Sequence, residues 1–327
     1  MDGNPEVVTL GHAIVDVLAL SEDDLVAGFG LEKGTMILID DARAEKIYAS
    51  LGPATEVSGG SAANTATCLA SLGAPSAFIG KVRDDTLGHF FTHDIRAAGV
   101  DYRIAPHPEG PSTGCCFIMV TPDAEKTMCT NLGIGALLAP DEVDAAVIGA
   151  AQILYVEGYM YGDRPTNPTV ERAIAAAREA GTEVALSLSD PYWVELHGDE
   201  LASLLGHVDL LFANEQEACG ITGERDLDAA LAALARRCST VAVTRGEHGS
   251  IVAVGGEAIP VPAVPVDRVV DTTGAGDSYA AGFLYGFTRG LGPHQCARLG
   301  GLAAAEIVGH LGARPQQSLA DWVGARL

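Results

Sequence analysis

Positive charge is scarce in this chain: 20 Lys and Arg stand against 43 Asp and Glu, a net charge of −23 over 327 residues. Nucleic-acid backbones and anionic membranes would repel such a protein, which argues against both as partners. A small anionic ligand remains compatible, because a local cluster of backbone amides overrides the distant field. CxxC spacing is absent, and the seven cysteines (Cys68, Cys115, Cys116, Cys129, Cys219, Cys238, Cys296) are odd in number. A zinc ribbon or a secreted disulfide framework would look different, whereas buried free thiols in a reducing compartment fit. The first residues, Met1-Asp2-Gly3-Asn4-Pro5-Glu6, lack the basic and apolar regions of a signal peptide. The longest apolar stretches, such as Ala145–Val156 with its Gln152, fall short of the ~20 residues that span a bilayer. These absences predict a soluble, cytoplasmic protein.

Apolar residues make up 48% of the chain, enough for a sizeable core. Short β-branched runs at Val7–Leu10, Ala77–Gly80, Ile153–Val156, Glu183–Leu188, Asp209–Phe212 and Val241–Thr244 read as buried strands. Helical spacing falls between them at Ala62–Leu72, Thr86–Ala98, Pro168–Ala180, Glu215–Ile221 and Leu227–Arg237, with Gly99 and Gly181 at helix ends. Such alternation predicts an α/β fold with a parallel sheet covered by helices on both faces. Gly34–Asp40, Ser112–Thr121 and Thr127–Asn131 break the rhythm as strands without crossover helices. They predict a small antiparallel sheet beside the main body, a lid whose strands fall within residues 12–58 and 100–133. No repeat, low-complexity tract or charge run marks a second domain, so residues 1–327 read as one.

The strongest local signal is Asp271-Thr272-Thr273-Gly274-Ala275-Gly276-Asp277, followed by Ala280, Phe283, Leu284 and Phe287 at helical spacing. Small residues at the start of a helix leave amides open to a negatively charged oxygen, with Asp277 in the first turn beside them. A structural acid beside a tight turn would give part of this pattern. The chain has no GxxxxGK[ST], which removes a P-loop, and Gly274-x-Gly276 lacks the third glycine of a dinucleotide fingerprint. A second cluster, Ser58-Gly59-Gly60-Ser61-Ala62-Ala63-Asn64, would let a ligand lie against backbone, or it is ordinary turn punctuation. In Gly11-His12-Ala13-Ile14-Val15-Asp16, the acid is either a buried partner for vicinal sugar hydroxyls or an exposed strand end. His89 and His93 lie four apart but lack a third ligand or an HExxH glutamate, so no metal site is read there.

The 271–277 segment resembles the C-terminal signature of the ribokinase-like, PfkB carbohydrate and nucleoside kinase family. Gly59-Gly60-Ser61-Ala62-Ala63-Asn64 is similar to its N-terminal glycine motif, Asn214-Glu215-Gln216-Glu217 to its NxxE element, and Thr244-Arg245-Gly246-Glu247-His248-Gly249 to its TxGxxG loop. Tyr279 stands where the family usually has Phe. The resemblance implies a ribokinase-like three-layer sandwich with a mostly parallel central sheet and a small β-sheet lid. It further implies that Asp277 is the catalytic base and that Gly274, Ala275 and Gly276, with the amides of Ala275, Gly276 and Asp277, form an anion hole. Asp16, Gly59, Gly60 and Asn64 would hold the acceptor, while Thr244, Gly246 and Gly249 would meet ATP. Asn214 and Glu217 would organise Mg2+, Glu217 through water, though Glu215 and Glu217 could instead be solvated helix acids. Asp271 and Thr273 correspond to a loop that binds a monovalent cation such as K+ in some relatives, with residues around His310–Ala313 completing it.

Met36-Ile37-Leu38, Asp41, Tyr48 and the stretch Lys126–Leu132 resemble the adenosine kinase branch. Leu38, Met128 and Thr130 would then face a flat base, or simply pack within the lid, while Lys126 would close toward phosphate. Glu157 is a candidate for a sugar hydroxyl, and Tyr159 or Tyr161 for an aromatic clamp. The expected activity is ATP-dependent phosphorylation of the 5′-hydroxyl of an adenosine-like nucleoside. The alternatives are a sugar kinase acting on ribose, fructose or a related sugar, and a non-catalytic nucleoside- or nucleotide-binding regulator. Exposed lid edges would permit a homodimer through lid strands.

Overall fold

The computed structural model describes residues 4–123, 125–162 and 165–326. Among these, fourteen strands form two sheets: β1 (Val7–Leu10), β2 (Ile14–Leu20), β3 (Met36–Leu38), β4 (Ala54–Gly59), β5 (Ser76–Ile79), β6 (Asp101–Tyr102), β7 (Gly114–Val120), β8 (Lys126–Asn131), β9 (Ile153–Glu157), β10 (Glu183–Ser187), β11 (Leu210–Asn214), β12 (Thr240–Thr244), β13 (Ser250–Val254) and β14 (Glu257–Val261). The large sheet runs β14-β13-β12-β11-β10-β9-β1-β5-β6. It is parallel from β12 to β6, while β13 and β14 add an antiparallel edge.

Strand alternation divides the apolar residues between the two faces. Val7, Ile153, Tyr155, Leu210 and Phe212 pack in one cluster with the helices Ser61–Ser71, Ala275–Phe287 and Pro293–Ile307. Val8, Leu10, Leu154, Val156, Leu211 and Val243 pack in the other with Asn167–Ala180, Pro191–Leu204 and Leu227–Leu234. The central strands are therefore apolar at successive positions, as burial on both faces requires. Helices Ala275–Phe287 and Pro293–Ile307 cross at glycines: a Cβ on Gly282 would lie 2.5 Å from Leu299 O, and one on Gly300 2.7 Å from Tyr279 O. Tyr279, the departure from the family pattern, is buried and donates its hydroxyl to Ser250 Oγ at 2.8 Å.

The small sheet runs β3-β8-β7-β2-β4. The expectation that it is antiparallel needs correction, because β2–β7 and β3–β8 are parallel, and only β7–β8 and β2–β4 are antiparallel. Val15, Val17, Cys115, Phe117 and Met119 on one face join the main core. Ile14, Cys116 and Ile118 on the other form a separate cluster with Leu18, Val120, Met128 and Leu132. Sequence reading missed β2, β4 and the β13–β14 hairpin as strands. Gly255 and Gly256, both at positive φ, make that hairpin's two-residue turn. No helix among the described residues is long and apolar enough to cross a membrane.

Candidate active site

The helix Ala275–Phe287 starts abruptly because Gly274 takes φ +78°, and a Cβ there would sit 2.5 Å from Ala313 Cβ. Its first turn presents amides that lie ahead of the helix's own ladder. One of the three expected anion donors is engaged, since Ala275 N donates to Thr272 O at 3.1 Å. Gly276 and Asp277 thus become the stronger candidates. The half-buried Asp277 carboxylate accepts from Ser61 Oγ at 2.7 Å and Asn64 Nδ2 at 2.9 Å. Burial raises its pKa to about 6, against the lowering effect of those two hydrogen bonds and of Arg314. Asn64 Oδ1 is buried and has no partner, leaving an acceptor for a ligand hydroxyl.

Ser61 and Asn64 lie on the first turn of Ser61–Ser71, and two glycines set that turn. Gly60 has φ +95°, with His12 O 2.2 Å from where its Cβ would be. A Cβ on Gly59 would lie 2.3 Å from Asp16 Oδ2. Gly59, expected to let substrate approach the backbone, thus makes room for the Asp16 carboxylate. Asp16 itself is half-buried on β2, its pKa raised to about 7 by burial, lowered by Arg314 and raised again by Asp277 and Asp271.

Glu157 requires a correction. It is 1% exposed, and its Oε1 accepts from His12 N at 2.8 Å and meets His12 Nδ1 at 2.7 Å. Oε2 accepts from Ala62 N at 2.8 Å. This carboxylate joins β9 to the start of Ser61–Ser71 and does not offer an open face to a sugar hydroxyl. Tyr161 likewise turns away, buried with its hydroxyl on Glu171 at 3.0 Å, whereas the half-buried Tyr159 stays near Trp193 at a ring separation of 6.1 Å.

Asn214 and Thr244 are register partners at the carboxyl ends of β11 and β12, where open α/β sheets bind ligands. Asn214 caps the helix Glu215–Thr222, accepting from Glu217 N at 2.8 Å and donating its own N and Nδ2 to Glu217 at 2.8 and 2.7 Å. Glu217 is therefore not a solvated acid: it is 5% exposed, and burial raises its pKa to about 7 despite the Asn214 amide. Glu215 is the solvent-exposed one. Among the described residues no group of three or more His, Cys, Asp or Glu could hold a metal ion. Oxygen ligands such as Glu217 and Asn214 fit Mg2+ through its waters rather than directly. Gly246 has open space around its Cβ position, but Gly249 has a structural reason to be glycine: φ +82°, with Val261 O 2.1 Å from a Cβ.

Leu38, Met128 and Thr130 share one face of the small sheet, because Leu38 pairs with Thr130 and Thr130 with Cys116, the neighbour of Asp16. Leu18 and Ile118 lie on the same face beside them, so an apolar face carries a single acid, Asp16. Asp271 is 6% exposed, and Thr273 donates to its Oδ1 through N at 2.9 Å and Oγ1 at 2.7 Å. Gly312 N reaches its Oδ2 at 3.0 Å. Lys126 pairs with the same carboxylate rather than pointing to an open phosphate position. A monovalent cation does not fit beside that ammonium.

Sequence reading missed Arg314. Its Nε donates to Ser58 O at 2.9 Å, Nη2 is buried without a partner, and its charge acts on Asp16, Asp94 and Asp277. A lone arginine in the small-residue stretch Gly312-Ala313-Arg314 of a cation-poor chain was the available signal. Ser189 was also missed: it holds φ +75°, the sole positive value among described non-glycine residues, and its Oγ accepts from Gly158 N at 2.9 Å.

A carboxylate at a helix start, first-turn amides beside it and the carboxyl ends of β11 and β12 define a phosphotransferase-type site. The chain belongs to the pfkB family of carbohydrate kinases, whose pattern matches residues 37–319. It is similar to the crystal structure of adenosine kinase from Sinorhizobium meliloti, at 43% identity and a TM-score of 0.93, over 99% of this chain and 100% of that one. A probable sugar kinase from Rhizobium etli CFN 42 is 39% identical with a TM-score of 0.91, covering 99% of both chains. A 5-dehydro-2-deoxygluconokinase from Shouchella clausii is 30% identical over 264 residues, 78% of this chain and 81% of the relative. The protein is thus an ATP-using kinase of a nucleoside or a sugar.

Proposed function

We propose that this kinase phosphorylates the 5′-hydroxyl of an adenosine-like nucleoside. The observation that carries the reading is the small sheet's apolar face, which presents Leu18, Leu38, Ile118 and Met128 above a single acid, Asp16. A flat base suits that surface, while Asp16 and the spare Asn64 oxygen suit ribose hydroxyls. A free sugar would leave most of the apolar face without a partner. The 43% identity to an adenosine kinase supports the same reading.

Asp277, ionised above about pH 6, accepts the proton of the attacking hydroxyl. A carboxylate is a weak base for an alcohol, so this transfer is late and positioning dominates the acceleration. The amides of Gly276 and Asp277 and the Arg314 guanidinium stabilise charge on the transferred phosphoryl group. Thr244 and Gly246 line the ATP side. Asn214 and Glu217 would hold the waters of Mg2+, which would supply positive charge against the phosphates. The small sheet acts as a lid that excludes water from this cleft.

ADP formation from ATP and Mg2+ across adenosine, guanosine, inosine, cytidine, ribose and fructose tests the reading. Turnover on a nucleoside with ribose silent is expected. Turnover on ribose or fructose alone would overturn the base-binding role of the lid, and silence on all six with nucleoside binding retained would favour a regulator.

A further inference from the structure

The Oδ1 oxygen of Asp271 is saturated. A carboxylate oxygen offers about two lone-pair positions, yet Thr273 N, Thr273 Oγ1 and Lys126 Nζ all converge on Oδ1, while Gly312 N reaches Oδ2. Asp271 thereby clips the loop before Ala275–Phe287 to the segment after Pro293–Ile307. Val270 N reinforces that clip by donating to Val308 O at 2.8 Å, and Gly274 packs on Ala313. Three of the four donors belong to this joint. The fourth comes from the other sheet, since Lys126 opens β8 and pairs in register with Val120 on the face that carries Met128 and Thr130.

We propose that Lys126 is a tethered cation: its ammonium fills the place at Asp271 where a monovalent cation would otherwise sit, so the loop before the anion site is ordered by the small sheet and needs no K+. An ammonium is a compact point charge, comparable in size to K+, and carries its donors in any direction. A second cation at Asp271 would meet that charge at close range, with Oδ1 already taken by three donors. The pair also couples two events. Withdrawing the small sheet removes the counter-charge of an acid that is 6% exposed, so an open lid and an ordered loop are incompatible. Lys126 acts through Asp271 and is a positioning residue. The inference rests on the kinase assignment and not on which acceptor is used.

The test compares wild type with Lys126→Met in KCl, NaCl and choline chloride at constant ionic strength, using the best acceptor from the panel above. Wild-type kcat is expected to stay within about twofold across the salts, while Lys126→Met loses about 10- to 100-fold in choline and recovers most of it in KCl. Melting temperature supplies a readout that needs no acceptor. KCl is expected to raise that of Lys126→Met by about 2–4 °C over choline and to leave wild type unchanged. Failure of the nucleoside reading alone leaves this melting result standing. Wild type activated several-fold by KCl, Lys126→Met as active as wild type in choline, or a variant that no salt rescues in either readout would each overturn the proposal.

Discussion

The two sheets are built from the same alternation and differ in what lies against their second face. In the large sheet, Val7 and Tyr155 enter one helix-covered cluster and Val8 and Leu154 the other. In the small sheet, Val15, Val17 and Phe117 enter the core, but Asp16, Ile118 and Met128 lie on the opposite face. A sheet covered twice supplies rigidity, whereas a sheet covered once keeps a face for chemistry. The acid at the seam, Asp277, hangs from a helix of the large sheet and meets Ser61 and Asn64 at the point where β4 ends.

Breaking the seam is expected to have the largest effect. Asp277→Asn lowers kcat by about 10³-fold or more while nucleoside binding persists, which steady-state assays and calorimetry would show. Asp277 also has a sign to check in stability. Its pKa is raised from 3.8 to about 6, so its contribution is fully present below 3.8 and is lost as pH rises through about 6. The asparagine variant escapes that loss, and above pH 6 it is expected to melt no lower than wild type. A lower melting temperature there would make Asp277 a structural acid.

The next contrast separates the sheets. Phe78→Ala on β5, 2% exposed against Phe91 and Tyr102, is expected to cost about 3–5 kcal/mol in denaturant unfolding with KM unchanged. Met128→Ala on the cleft face is expected to raise nucleoside KM by about tenfold with less than ~1.5 kcal/mol lost from stability. Equal stability losses would erase the distinction. The smallest effect is in pH: kcat/KM falls as pH drops through about 6, where Asp277 takes up its proton. A profile flat to pH 5 would remove it as the base.

The large sheet was legible because β-branched runs buried on both sides leave an unbroken apolar signal, as at Ile153–Val156. The small sheet was harder. On β2 the alternation is masked because Ile14, Leu18 and Leu20 on the cleft side are as apolar as Val15 and Val17, and Asp16 looked like an interruption. The site motifs were readable, since a helix start at Gly274 and another at Gly60 both need residues without a side chain. Donor assignments were not. Nothing local distinguishes Glu157, whose oxygens are taken by His12 and Ala62, from Asp16, whose carboxylate lies over Gly59. Arg314 and Lys126 reach their acids only through long-range folding.

Glu157 has one more consequence, a mechanical one. It grips His12, which precedes β2, and Ala62, which follows β4, so both strands leave the main body from one clamp. Ile14 and Gly59 are paired in register immediately beyond it. If the small sheet moves as the proposed lid, a lever fixed at that end would travel less at Asp16 than at Leu20 and Lys126. On that reading the groups proposed to orient the reacting hydroxyl would keep their places while the far end opens.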